Sequence, residues 1–387
     1  MSKFLYPIYK LNIESYKKWW LYHKKAGGSG ILSEILQGFS FNLENTLNRK
    51  FKLFEIEGNS VQDGSPSPDN EVPILSSGEN GSINEKIQNK NVLDYKEMFN
   101  NAEDYSSAFK IYRKKLQPNT SYTTSSNFPY TNNETGFIVV NSTDEPSTVN
   151  YGLRGEITTT TNSDGIIRIY IRKFSGQQIL PNLENFESGT YYIQTELGST
   201  SSSYVEHKEQ DYSIFVQQPF RSNKDKTIRD CFVKKSDNKK YERHFINEIT
   251  LDGTENWSRS DTEGFIRYVV TFANMKSVGA TRSANILCNK FKGSIENGYG
   301  NCFAFNNTVA FYVPENIENF SDWKNWLEEN NVKLQYELET PLELPCTETQ
   351  IQQLENKPST YKDFTIIQSE DETPAYLKIQ YWKEVQS

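Results

Sequence analysis

From residue 100 onward, apolar and polar residues alternate in short runs broken by turn residues, the period-two signature of half-buried strands. After Asn162-Ser163-Asp164-Gly165, the run 166–172 puts Ile167, Ile169 and Ile171 on one face and Arg168, Tyr170 and Arg172 on the other. Further strands are expected at 136–140, 151–158, 190–197, 213–217, 265–272, 302–313 and 333–338. Their spacing, with no long helical patterns between them, points to antiparallel β-sandwiches rather than α/β units.

Helical periodicity is confined to the two ends. In 13–22, Ile13, Tyr16 and Trp20 fall near one face, and Gly27-Gly28-Ser29-Gly30 ends the pattern. A second helical candidate at 31–36 is too short to stand alone and has to dock. Residues 1–50 therefore read as a helical attachment segment, whose Tyr16, Trp19 and Trp20 either bind a partner or pack on the following domain. Near the C-terminus, Ser321 is read as the N-cap of a helix over 322–329, with Asp322 favourable in its first turn. Thr347 and Gln350 have the spacing of a capping box. The expected fold class is mainly β: antiparallel jelly-roll sandwiches, a short helical N-terminal segment and two short C-terminal helices.

The chain has 387 residues, enough for two to four domains. Only 35% of residues are hydrophobic, yet there are 23 Tyr and 23 Phe, which suits half-buried β surface and argues against disorder. A net charge of −8 gives no general attraction to nucleic acid or anionic membranes. The exception is 1–25, where Lys3, Lys10, Lys17, Lys18, Lys24 and Lys25 face only Glu14. No run of about 18 apolar residues predicts a membrane span. The first residues carry no signal-peptide core, since Pro7 and then charge interrupt Phe4-Leu5-Tyr6.

Catalytic chemistry finds little support. His23, His207 and His244 are widely spaced, and Cys231, Cys288, Cys302 and Cys346 form no C-x-x-C pair, so buried free thiols are expected rather than metal ligation. A nucleophile elbow and a phosphate-cradling glycine loop are both missing. With 50 acidic residues, some carboxylates will be neighbours in any fold, which carries no information about glycosidase chemistry. The expectation is a non-enzyme with no cofactor and no metal. Tyr-rich, turn-rich β-sandwiches do offer what sugars need, an aromatic face beside hydrogen-bonding groups. The face carrying Arg168, Tyr170 and Arg172 is the candidate glycan surface if it lines a concave sheet; otherwise it is a solvated outer face. Trp257, beside Asp252-Gly253, is expected in the core.

Residues 55–74, containing Gly58-Asn59-Ser60-Val61-Gln62-Asp63-Gly64-Ser65-Pro66-Ser67-Pro68-Asp69-Asn70-Glu71-Val72-Pro73-Ile74, resemble an opening common in minor structural and tail-tip proteins of phages and prophages of Gram-positive bacteria. Residues 191–200 with 204–207 resemble the ending of a carbohydrate-binding-like jelly roll in that family, and 116–123 its "LKPNTTYT" strand. Residues 323–341, with Trp326-Leu327 and Thr340-Pro341, and the tail 347–382 are similar to further family segments. Two positions depart from the pattern. Glu71 stands where Pro is usual, relaxing the connector, and Glu206-His207 replaces Glu-Pro, which leaves the jelly-roll exit less constrained.

The resemblance implies a division into 1–50 (attachment), 51–90 (first part of a split β domain), 91–208 (inserted jelly roll), 209–345 (second part) and 346–387 (C-terminal helix and strands). It implies a virion protein of the tail tip or baseplate, assembled in the host cytoplasm. Its partners would be a bacterial cell-surface glycan and other tail proteins, and a homotrimer would convert weak sugar contacts into avidity. A structural adaptor without ligand and a fibre of a phage-tail-like bacteriocin are the alternatives. Within 58–74, the three prolines and Asp63-Gly64 predict an ordered, extended connector with its tight turn at Asp63-Gly64.

Overall fold

A computed structural model describes residues 21–24, 31–36, 40–44, 50–129, 136–140, 155–173, 180–262, 264–314, 316–358, 361, 364–369 and 371–382. The described chain is mainly β and its sheets are antiparallel but for one short parallel pair. Four helices occur among the described residues: α1 (Tyr95–Asn101), α2 (Leu183–Glu187), α3 (Phe320–Asn330) and α4 (Glu348–Glu355).

Two sheets share strands from both ends of the chain. An eight-stranded sheet runs Leu21–Lys24, Ile31–Leu36, Tyr376–Trp382, Lys50–Glu57, Cys231–Lys234, Lys240–Leu251, Val332–Pro345, Leu287–Cys288. A four-stranded sheet runs Glu209–Phe215, Ser82–Asn89, Phe364–Ser369, Ser40–Glu44. Residues 31–36 are thus a strand and not the expected helix. Six residues cannot sustain an isolated helix, whereas the register Glu34↔Ile379 satisfies their backbone groups in a ladder. Residues 13–20, with Tyr16, Trp19 and Trp20, lie outside the described residues.

Between the adjacent antiparallel strands Ser82–Asn89 and Glu209–Phe215, paired with Glu209 opposite Gln88, the chain leaves to build a sandwich of its own. Its sheets are Glu156–Thr160, Ser121–Ser126, Ile193–Leu197 and Phe137–Val140, Ile166–Arg172, Phe109–Lys115, Glu103–Asp104. Ile167, Ile169 and Ile171 point into the core between them with Tyr112, Tyr122, Phe137 and Phe186. The neck is clipped by side chains. Asn89 Nδ2 donates to Glu206 O at 2.7 Å, Asn91 Nδ2 donates to Val205 O at 3.0 Å, and His207 Nδ1 donates to Asn91 O. His207 therefore pins the exit that Glu206-His207 was expected to leave less constrained.

A five-stranded sheet, Trp257–Arg259, Arg267–Thr271, Thr308–Tyr312, Asn301–Phe305, Lys292–Gly293, packs with α3 over another core. The expected strand 302–313 is a hairpin, turned at Asn306 with φ 48°. In that core, Tyr268, Trp323 and Trp326 form a near-parallel stack with 5.5 Å between neighbouring ring centroids. Helix α3 is capped by Asn319, whose Oδ1 accepts from Asp322 N at 3.0 Å, two residues before the expected cap. The capping box at Thr347 and Gln350 is present as read.

The connector 58–74 is ordered but folds back on itself. Ser60–Val61 pairs with Leu75–Ser76, and the tight turn is Ser67–Asn70, closed by reciprocal backbone hydrogen bonds of 2.9 and 3.0 Å. Pro68 supplies the fixed φ at its second position, while Gly64 takes φ 131° in a gentler bend. Gln62 Nε2 spans the loop to Val72 O (3.0 Å) and Cys288 O (2.9 Å). Glu71 accepts from Asn289 Nδ2 at 2.8 Å and faces Lys290 at 3.7 Å, so it tethers the connector it was expected to relax. Asn59 Nδ2 reaches Pro374 O at 3.2 Å, and Ser60 and Ser222 exchange backbone-to-hydroxyl bonds of 3.0 and 3.1 Å.

Candidate functional site

Arg168, Tyr170 and Arg172 share a strand face, but that face is closed. Tyr170 has no exposed surface and Arg168 is 9% exposed. The Tyr105 and Phe109 rings stand edge-on to Tyr170 at 5.1 and 6.2 Å, Arg172 lies 5.1 Å over Phe109, and Arg168 pairs with Asp164 at 3.2 Å. Tyr170 itself is therefore out of a sugar's reach, and the ring this face shows to solvent is Tyr105, 37% exposed. Alternation had identified two faces correctly, but it carries no information about the turn at 105–109 that covers the second one.

Trp257 is a core residue as expected, edge-on to Trp323 at 5.3 Å with its Nε1 donating to Glu255 at 3.0 Å. His244 lies between Asp230 and Glu242 with the three side chains sealed from solvent, an arrangement no substrate reaches. Among the described residues, no group of three or more His, Cys, Asp or Glu is placed to hold a metal ion. Nor is any helix among them long and apolar enough to cross a membrane.

A second exposed aromatic among the described residues of the inserted sandwich lies at the mouth of the strand Ile193–Leu197. Asn127 holds the approach to that strand: its Oδ1 accepts from Tyr192 N at 2.6 Å and its Nδ2 donates to Thr190 O at 3.0 Å. After the strand, the segment 198–207 doubles back along the sheet. Glu196 accepts from Ser202 N at 2.6 Å and Ser202 Oγ at 2.7 Å. Fully buried Gln194 donates to Ser202 O at 3.0 Å and accepts from Val205 N at 3.2 Å. This strap lays the Tyr204 ring on Tyr192, 4.6 Å between centroids and 22° from parallel, and leaves Tyr204 37% exposed.

Helix α1 begins beside the pair. Asp94 caps it by accepting from Lys96 N at 2.8 Å, Tyr95 packs 6.0 Å from Phe186, and Lys96 Nζ lies 5.8 Å from the Tyr95 ring. Burial raises the Tyr204 hydroxyl pKa above its ordinary value, with further upward pushes from Tyr95, Glu206 and Asp94. Burial likewise raises that of Tyr95; Lys96 opposes, and Glu206, Glu187 and Asp94 add to the rise. Both tyrosines stay neutral donors. The arrangement presents a supported aromatic face with carboxylates and a phenol beside it, which can take the C–H face of a pyranose and accept from its hydroxyls. In the sequence Tyr192 and Tyr204 stand out only within the segments 191–200 and 204–207 that carry the jelly-roll resemblance; their stacking depends on the buried anchors. No family model, no curated protein and no solved structure matches the chain.

Proposed function

We propose that this chain is a phage tail-tip or baseplate-associated protein that holds the particle against the host cell by glycan contacts made from residues 91–208. One observation carries the reading: Tyr204 is an exposed ring backed by Tyr192 and fixed from beneath by buried Gln194 and Glu196. A ring pre-set in this way loses little entropy on stacking, which favours a low-affinity sugar site. The motifs at 58–74, 191–207 and 323–341 supply the tail-protein context by resemblance. Homotrimeric presentation would multiply such weak sites. The test is retention of full-length protein by purified envelope of Gram-positive hosts, compared with Tyr204→Ala. Retention of the parent but not the variant supports the reading; failure of the full chain to bind any host envelope overturns it.

The closed Arg168 face favours a second reading, a structural adaptor without ligand. It predicts that residues 1–20 are needed for incorporation into tails. A deletion confined to 1–20 is the suitable probe, because 31–36 and 40–44 are strands of the two shared sheets. Normal assembly of that deletion would count against an adaptor.

A further inference from the structure

His207 stands where the inserted sandwich joins the body, and its ring meets an acceptor at each nitrogen. Nδ1 lies 2.5 Å from Asn91 O, where the chain enters the sandwich. Nε2 lies 3.2 Å from a carboxylate oxygen of Glu209, the first residue of the body strand Glu209–Phe215. The side chain is only 5% exposed, so the ring draws its hydrogen bonds from protein rather than from water. Asn89 and Asn91, which clip the same neck, keep their donors and acceptors at every pH. An imidazole does not. Neutral, it has one N–H and one lone pair; charged, it donates from both nitrogens. With Nδ1–H given to Asn91 O, the neutral ring turns a lone pair toward the Glu209 carboxylate, and that contact is repulsive. The charged ring bonds both partners.

The other charged groups around the ring leave Glu209 as its direct ionic partner. Lys86, on the paired strand Ser82–Asn89, lies 3.6 Å from Glu209 and offers its carboxylate a second counter-ion. Glu97 of α1 is within electrostatic range of His207, but Lys114 Nζ holds it at 2.8 Å. Burial keeps the nearby Tyr112 and Tyr361 phenols, which also feel Glu209, protonated and uncharged. We propose that His207 is a proton-operated clamp on the neck: charged, it ties the sandwich at Asn91 to the body at Glu209; neutral, it leaves Glu209 to Lys86 and the neck loosens. The clamp therefore holds in mildly acidic surroundings and is lost as pH rises. It acts on the mounting of residues 91–208, whatever that sandwich binds.

The experiment is backbone hydrogen exchange of the full-length protein at about pH 5.5 and about pH 8, read by mass spectrometry and corrected for the intrinsic effect of pH on exchange. Protection in peptides covering 89–95 and 203–210 should be about three- to tenfold higher at the lower pH, the range expected for one charge-assisted hydrogen bond with a half-exposed partner. In His207→Gln, which cannot change charge, the difference between the two pH values should vanish. Glu209→Gln alters a partly exposed side chain and should shrink the difference while the strand Ile193–Leu197 stays protected, so the proposal remains testable even where His207→Gln fails to fold. His244→Gln should keep the response of the neck, which separates it from the other buried imidazole. Protection of the parent neck that is equal at both pH values, or an undiminished response in His207→Gln or Glu209→Gln, would overturn the proposal. So would loss of the response in His244→Gln.

Discussion

His244 Nε2 lies 3.1 Å from a carboxylate oxygen of Glu242, two residues before it on the same strand face and equally sealed from solvent. Nδ1 meets Asp230 at 3.3 Å, so the imidazole has a carboxylate at each nitrogen. Burial pulls its pKa down, but the hydrogen bonds and charges of Asp230 and Glu242 outweigh that and push it up to about 9. Asp230 also accepts from the backbone N–H of Arg221, Phe245 and Ile246, and Glu242 from Gln217 N and Gln350 Nε2. One charged cluster thereby joins the strand Lys240–Leu251, the residue that leads into Cys231–Lys234, the loop 217–221 and α4.

This cluster makes stability pH-dependent in a defined direction. The folded-state pKa lies above the unfolded value near 6.5, so the contribution is fully present below about pH 6.5 and lost as pH rises through about 9. By linkage it amounts to about 3 kcal/mol. Urea midpoints between pH 6 and 10 should fall for the parent more steeply than for His244→Gln, which should be less stable at pH 6 and flatter across the window. Parallel curves would refute the assignment.

Gln350 joins the cap of α4 to this cluster and to the sheet edge. Its Oε1 accepts from Thr347 N at 2.8 Å while its Nε2 donates to Phe215 O at 3.0 Å. Gln353 Oε1 accepts from Phe215 N at 3.0 Å, so two glutamines satisfy an edge residue that would otherwise be open to pairing. Thr347→Ala should cost about 1 kcal/mol by loss of the cap alone. Gln350→Ala should cost about 2–3 kcal/mol, since it also strips a donor from buried Glu242. Chemical denaturation of both variants checks the order.

Gly58 is required by a close backbone approach. A Cβ there would meet Arg221 N and O at 2.5 Å and the Phe220 carbonyl carbon at 2.6 Å. Gly58→Ala should destabilise by on the order of 2 kcal/mol or more, because backbone and not a flexible side chain has to move. Gly155→Ala has open space around its Cβ and only its φ of 93° to strain, so it should cost less. Thermal midpoints of the two variants decide.

Tyr170→Ala should behave as a core truncation. Removing a fully buried ring packed by Tyr105 and Phe109 should cost about 3–5 kcal/mol and lower the melting midpoint of the inserted sandwich. Unchanged stability with lost envelope retention would restore this face as a binding surface.

Much of this protein follows from local chemistry. Strand 166–172, the capping box at Thr347 and the positions of most sandwich strands are set by a residue's own periodicity and by neighbours three or four places away. At 58–74 order was expected although the composition resembles a linker, since three prolines restrict the unfolded chain, and the segment is ordered. The site of the turn was different because Pro68-Asp69 closes a loop whose ends pair across it.

What the tertiary structure decided is which elements meet. Residues 31–36 are a strand because a C-terminal strand offers an edge, Tyr170 is hidden because the turn at 105–109 covers it, and Tyr204 is displayed because buried Gln194 and Glu196 hold its strap. His207 and Glu71 became anchors only through Asn91 and Asn289, far along the chain. Periodicity and capping act over one turn or one strand, whereas burial of a face depends on partners that only folding brings into contact.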